Sequence, residues 1–299
     1  MLPSRSERRG GDEGAAENRN AALNSRCMKP AKFDYLRADS ADEAIALLAE
    51  YGDDARILAG GQSLLPMLNM RFTQPKVVVD ISQIDELNFV HSEDNKLTIG
   101  AATTQASLEW RAALRAELPL VHQAFPHISH FQIRNRGTVC GSIAHADPSA
   151  ELPLCLLALG GEVLLRSTRG TRAVAADEFF LGTLLTVRKP DELIEAVRLP
   201  LAQPQQRFAF DEFSMRHGDY AIVAVAAVAD ETGVNLAVGG VADRPVSQYW
   251  RGVLGNAIDD LLDDFSHSLD AQDDQHAAAD YRRHLVRVLG KKAMEAVLS

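Results

Sequence analysis

The chain has 299 residues, of which 46% are hydrophobic and 24% charged, and its formal net charge is −10. That length suffices for the cores of two domains. Residues 256–280 hold eight Asp and no Lys or Arg, so the acidity is local and reads as a solvated helix face or loop. It offers no basic face for a nucleic acid. No apolar run approaches the roughly 20 residues needed to cross a bilayer. Three cysteines, Cys27, Cys140 and Cys155, form no CxxC pair and no even disulfide framework, which points to reduced thiols in the cytoplasm. They are too few for an iron–sulfur cluster, which takes about four Cys ligands.

Residues 1–27, rich in Arg, Gly, Asp, Glu and Asn and poor in apolar side chains, read as a disordered leader, with Met28 either the natural start or the onset of folded protein. Ser40 to Glu43 forms a capping box ahead of Ala44, Ile45, Leu47 and Leu48, predicting a helix over about 40–51 that Gly52 closes. Residues 56–59, 76–81 and 96–101 read as strands. Helices are expected over about 104–116 and 118–128. A glycine-bearing loop follows at 132–142, then a small-residue stretch and a helical run over 152–159. Residues 162–166 and 192–199 read as strands. Pro200, Pro204 and three Gln mark a linker. Beyond it, 207–214, 222–230 and 234–241 read as three antiparallel strands, with a turn at Glu231 to Gly233, and about 247–299 as helical.

Two small-residue loops carry the candidate chemistry: Leu58-Ala59-Gly60-Gly61-Gln62-Ser63-Leu64-Leu65 and Thr138-Val139-Cys140-Gly141-Ser142. Adjacent glycines let backbone N–H groups converge on one point, and such a nest suits a phosphate. Ser63, Thr138 and Ser142 add hydroxyls. The two loops could clasp a dinucleotide diphosphate from both sides, or each could be only a tight turn. Neither GxGxxG nor GxxxxGK[ST] is present, so any nucleotide is held by another architecture.

The order and separation of Ala59-Gly60-Gly61-Gln62-Ser63, Gln132-Ile133-Arg134, Thr138 to Ser142 and Gly218-Asp219-Tyr220 resemble the flavin subunit of the xanthine dehydrogenase and carbon monoxide dehydrogenase family of molybdenum hydroxylases, across residues 28–299. The resemblance implies an α+β fold: a two-lobed FAD-binding domain (PCMH-type) over 28–204, then a small domain over 206–299 with a three-stranded antiparallel sheet and helices. It implies FAD held at its diphosphate by Leu58–Leu65 and Thr138–Ser142, with Asp147 and Glu151 at the ribityl chain or ring and Tyr220 covering the ring. The same resemblance implies a heterotrimer. A large subunit would carry the molybdenum–pterin centre, a small one two [2Fe–2S] clusters, and electrons would leave this chain's FAD for an external acceptor. An N-heteroaromatic or aldehyde substrate is favoured. Cys140 stands where the family has Gly and Ser142 where it has Asn; a Lys common before the Gly-Asp-Tyr segment is replaced by Phe210-Asp211-Glu212-Phe213.

Two other readings stay open: a stand-alone flavin oxidoreductase with its own substrate pocket, and a non-catalytic binding or assembly module. No catalytic base or metal set stands out. His127 and His130 could share a helical face but read as structural, His145 as packed beside the second loop, Cys155 as a core thiol, and Glu109 and Trp110 as a helix surface and its buried edge.

Overall fold

The computed structural model describes residues 28–253 and 257–299; the leader expected over 1–27 lies outside them. A first lobe is a parallel sheet in the order β1 (Asp34–Arg37), β3 (Val77–Asp80), β2 (Ala55–Leu58), crossed over by helix α1 (Ala41–Tyr51). Ser40 caps α1 by accepting from the Glu43 N–H, and Gly52 ends it with φ +51°, as its sequence predicts. All three Val of β3 are buried, as befits the central strand of a sheet covered on its faces. Strand β2 runs into the first glycine loop, which opens helix α2 (Leu64–Asn69).

A second lobe is an antiparallel sheet in the order β4 (Val90–Glu93), β5 (Lys96–Gly100), β10 (Leu193–Pro200), β6 (Glu162–Ser167), β7 (Gly170–Ala175). Short helices stand between its strands: α3 (Gln105–Glu109), α4 (Leu114–Glu117), α5 (Pro119–Ala124), α6 (Phe131–Arg134), α7 (Val139–His145) and α8 (Glu151–Ala158). The single helix expected over 104–116 is thus two pieces. Its expected buried edge is also wrong, since Trp110 is 79% exposed. Every residue of α8 is buried; a helix apolar all round belongs at the centre of a molecule.

The third sheet corrects the expected three strands to four, in the order β11 (Arg207–Ser214), β12 (Ala221–Ala229), β13 (Gly233–Gly239), β14 (Val246–Arg251). Residues 246–251 pair with β13 instead of starting a helix. Strand β12 shows how the sheet is used: Ala224 and Ala226 face the first core around α8, whereas Val223, Val225 and Ala227 face the second. Small side chains on one face let α8 lie close. The other face is covered by helices α10 (Ile258–Ser268) and α11 (Ala279–Leu298), where α9 denotes the short turn Ala176–Phe179. The acidic run is only partly a solvated face: Asp259, Asp263 and Asp274 pair with Lys291, Arg287 and Arg282 of α11. Arg282 is 5% exposed and also donates to the carbonyls of Ile222 and Gly240.

Among the bonds that stitch this sheet to the second lobe, two come from one side chain. The Gln123 side chain, on α5, donates from Nε2 to the Phe208 carbonyl (3.2 Å) and accepts at Oε1 from the Phe210 N–H (3.0 Å).

Candidate functional site

The two glycine loops meet. A Cβ on Gly60 would lie 2.2 Å from the Arg136 carbonyl oxygen and 2.7 Å from the Gly137 Cα. Gly60 is therefore required by the approach of the second loop's backbone. Gly61 has φ +74°, a conformation that a side chain disfavours. The N–H groups from Gly60 to Leu64 donate to no acceptor among the described residues, a row of free donors such as an anion requires.

The second loop turns out to be the first turn of α7 rather than a free loop. Thr138 caps it by accepting from the Gly141 N–H at 3.0 Å. Thr138 also bridges to Thr104, with the Gln105 N–H donating to the Gly137 carbonyl (2.7 Å) and the Val139 N–H to the Thr103 carbonyl (3.1 Å). Gln132-Ile133-Arg134 form the brace in front: Arg134 grips Glu109 with two bonds of 2.8 and 3.0 Å. The Cys140 side chain does not narrow the turn. It is buried, with Sγ 3.4 Å from the Ile99 carbonyl, and burial pushes its thiol up to about 12, so it is an inert core group.

Both loops line one cleft of about 600 Å³, within the range of roughly 300–1,000 Å³ usual for small-molecule and cofactor sites. Of the residues expected at the site, Ala59 to Leu64, Thr138, Cys140, Gly141, Ser142, Glu151 and Tyr220 line it. Leu58, Leu65, Val139 and Asp147 do not. Val139 is buried in the core, and Asp147 accepts from the Ser149 N–H at 2.9 Å. Tyr220 reaches the cleft from the start of β12, with Gly218 and Asp219 beside it. Partial burial, with the carboxylates of Asp147 and Glu151, pushes its phenol up to about 12. Glu151 is 6% exposed, and burial above all, with Glu212 and Asp147, pushes its carboxyl up to about 8. His145 lines the cleft too, its basicity lowered by burial. His127 and His130 share no helix; His127 Nδ1 lies 3.3 Å from Glu212 Oε1.

Sequence reading missed several cleft residues. Gln105 is 6% exposed and its Oε1 has no partner among the described residues. An orphaned buried amide is costly unless a ligand satisfies it. Arg56 and Arg188 also line the cleft, each guanidinium anchored at Nη1 to backbone carbonyls, of Asp53 and Ala55 and of Lys189 and Glu192. Thr104 caps the turn that begins at Gln105, but nothing local marks a buried amide.

A cleft with a row of free N–H donors from the first loop, an unsatisfied buried amide and an aromatic side chain from a separate sheet suits a flavin nucleotide, and the residues present fit FAD. The family described as FAD binding domain in molybdopterin dehydrogenase matches residues 31–202. The 6-hydroxypseudooxynicotine dehydrogenase complex subunit alpha of Paenarthrobacter nicotinovorans is 38% identical, over 91% of this chain and 96% of its own. The glyceraldehyde dehydrogenase medium chain of Sulfolobus acidocaldarius is 36% identical, over 90% of this chain and 100% of its own. The carbon monoxide dehydrogenase of Hydrogenophaga pseudoflava aligns with a TM-score of 0.84 at 32% identity, over 90% of this chain and 98% of that one. The chain belongs to this family and is an FAD-binding oxidoreductase subunit of the molybdenum hydroxylases. No helix among the described residues is long and apolar enough to cross a membrane.

Proposed function

We propose that this chain is the flavin relay of a three-subunit molybdenum hydroxylase. It takes electrons from [2Fe–2S] clusters on a small partner subunit, fed by a molybdenum–pterin centre on a large one, and passes them to an external acceptor in the cytoplasm. Residues 28–204 form the FAD domain and 206–299 a second domain that closes on the flavin. FAD would supply the change from one-electron to two-electron chemistry. The chain's own residues hold it: the N–H groups of Gly60 to Leu64 and the first turn of α7 at the diphosphate, Gln105 between them, and Glu151 and Tyr220 toward the ring. The substrate, oxidised on another chain, is an N-heteroaromatic or an aldehyde.

The observation that carries this reading is the shared cleft, in which both glycine loops of the first part and Gly218 to Tyr220 of the second line one cavity. Native purification tests it. The chain is expected to travel with two further subunits, and substrate should bleach iron–sulfur absorbance and flavin absorbance together. A chain that purifies alone and oxidises substrate with its own flavin would replace the relay by a stand-alone flavin oxidoreductase. A colourless chain that cannot take up FAD would leave an assembly module.

A further inference from the structure

Three large apolar side chains stand bare at the Tyr220 end of the cleft: Trp110 is 79% exposed, Phe131 62% and Met215 65%. They come from separate stretches of chain that two contacts bring together. Trp110 follows Glu109, the carboxylate that Arg134 grips with bonds of 2.8 and 3.0 Å, and Phe131 stands one helical turn before Arg134 on α6. Met215 follows β11, at the start of the turn in which the Asp219 N–H donates to the Arg216 carbonyl (3.0 Å). That turn lies against the residues just before Phe131: a Cβ on Gly218 would stand 2.8 Å from the His130 ring and 3.2 Å from the Ser129 carbonyl oxygen. Ser129, Gly218 and Tyr220 line the cleft, so the three side chains occupy its lip. Single exposed apolar residues are ordinary, but a group of them beside a site marks a surface that something covers. Arg136 and Arg216 stand beside them, both exposed and neither in an ion pair among the described residues. Asp219 is exposed in the same turn, and the Glu109 charge is already taken by Arg134. The rim is therefore net positive on a chain whose net charge is −10. Trp, Phe, Met and Arg are the side chains in which protein interfaces are enriched.

We propose that Trp110, Phe131 and Met215 are the seat of the iron–sulfur subunit, which covers them with an apolar surface edged by carboxylates. The inference rests on the relay reading above and adds the place where the electron donor sits. Position favours this occupant. The seat adjoins Tyr220, which the relay reading sets at the flavin ring, and an electron donor must come close to that ring, whereas a subunit that only handles substrate need not. Charge favours it too. Arg136 and Arg216 have spent no charge within the chain and call for carboxylates across the interface; complementary potentials steer the encounter and reject wrong partners. A second copy of this chain does not fit, because a two-fold contact sets a patch against itself and would bring one basic rim onto another. A small diffusible acceptor does not fit either, since it would enter the cleft and leave the three side chains in water.

The test uses the assembled complex of full-length subunits, diluted and followed by mass photometry as the flavin chain comes away. Trp110→Ser and Phe131→Ser should each weaken its hold on the iron–sulfur subunit about tenfold or more, as truncation of an aromatic anchor does. Flavin content per chain and melting temperature should stay at the parent values, because side chains this exposed support neither. Arg216→Glu should slow association. The parent complex should loosen as salt rises from about 0.05 M to about 0.5 M and shortens the Debye length, and Arg216→Glu should flatten that dependence. Val288→Ser, at an exposed apolar position on α11, is the control and should change nothing. A photo-crosslinking phenylalanine analogue in place of Phe131 should couple to the iron–sulfur subunit. Coupling to the large subunit or to a second copy of this chain would overturn the seat alone. So would Trp110→Ser and Phe131→Ser complexes that hold like the parent, or an equal loss in Val288→Ser. A parent chain that assembles with no iron–sulfur subunit would overturn the relay reading instead.

Discussion

Gly60→Ala tests the meeting of the two loops most directly. The added Cβ would stand 2.2 Å from the Arg136 carbonyl and 2.7 Å from the Gly137 Cα. Both obstacles are backbone, so no side-chain rotation relieves them, and the loops must part by roughly 1 Å to restore ordinary contact. Hydrogen bonds to a diphosphate weaken steeply outside about 2.7–3.2 Å. Donors clasping it from both sides cannot all stay in range once the walls separate. Loss of two bonds to a charged group, at about 1.5 kcal/mol each, amounts to about 3 kcal/mol, or about a hundredfold in Kd. Gly61→Ala is the control. There the Cβ would meet the movable side chains of Leu58 and Leu65 at 3.1 Å, and the left-handed backbone costs about 1–2 kcal/mol, so about tenfold is expected. The assay is an FAD titration of the flavin-stripped proteins by fluorescence quenching, with circular dichroism to confirm folding. If Gly60→Ala bound FAD as tightly as the parent chain, or lost less affinity than Gly61→Ala, the loops would not be the diphosphate clasp.

Other substitutions probe separate links. Gln105→Leu should weaken FAD about tenfold, one hydrogen bond at about 1.4 kcal/mol, while the melting temperature holds, because the orphaned Oε1 has no protein partner to lose; a fall in melting temperature with unchanged affinity would make Gln105 structural. Arg282→Leu strands the carbonyls of Ile222 and Gly240 and should cost about 3 kcal/mol, read as a lower urea midpoint at constant slope. Glu151 is raised in the folded state, so its stabilising contribution is fully present below the ordinary carboxylate range and is lost as pH rises through about 8. Glu151→Gln should therefore flatten the fall in stability between about pH 5 and pH 8 measured by urea unfolding, and a slope unchanged from the parent chain would refute the burial argument.

Much of the site could be read from the sequence because its signals are local. A run such as Gly60-Gly61, with Ser63 after it, declares a backbone with no room for side chains, and Thr138 three residues before Gly141 is a helix cap. What escaped was tertiary. Residues 246–251 alternate weakly because β14 is an edge strand with Gln248 and Tyr249 exposed, so nothing separated them from the helical stretch that follows. Trp110 is a large apolar residue at a helix end, and only the fold reveals that no element among the described residues covers it. Glu212 drew notice as the loss of an expected cation, yet its actual partner, His127, lies 85 residues earlier and becomes adjacent only when β11 docks against the turn after α5. Gln105 shows the same limit, because an unsatisfied amide is a property of its surroundings.

The pair of bonds from Gln123 reaches main-chain atoms of β11 and no side chain of it. One glutamine thereby imitates a residue of a neighbouring strand and occupies part of an otherwise open sheet edge, the kind of surface on which proteins polymerise. Because an amide can both give and accept, it reproduces the ladder in a way that neither Glu nor Lys can. The docking of the third sheet thus draws on the side chain at 123 as well as on Phe208 and Phe210, which pack against the first core. Gln123→Glu would leave the Phe208 carbonyl without its donor and turn a zipped edge into an adhesive one.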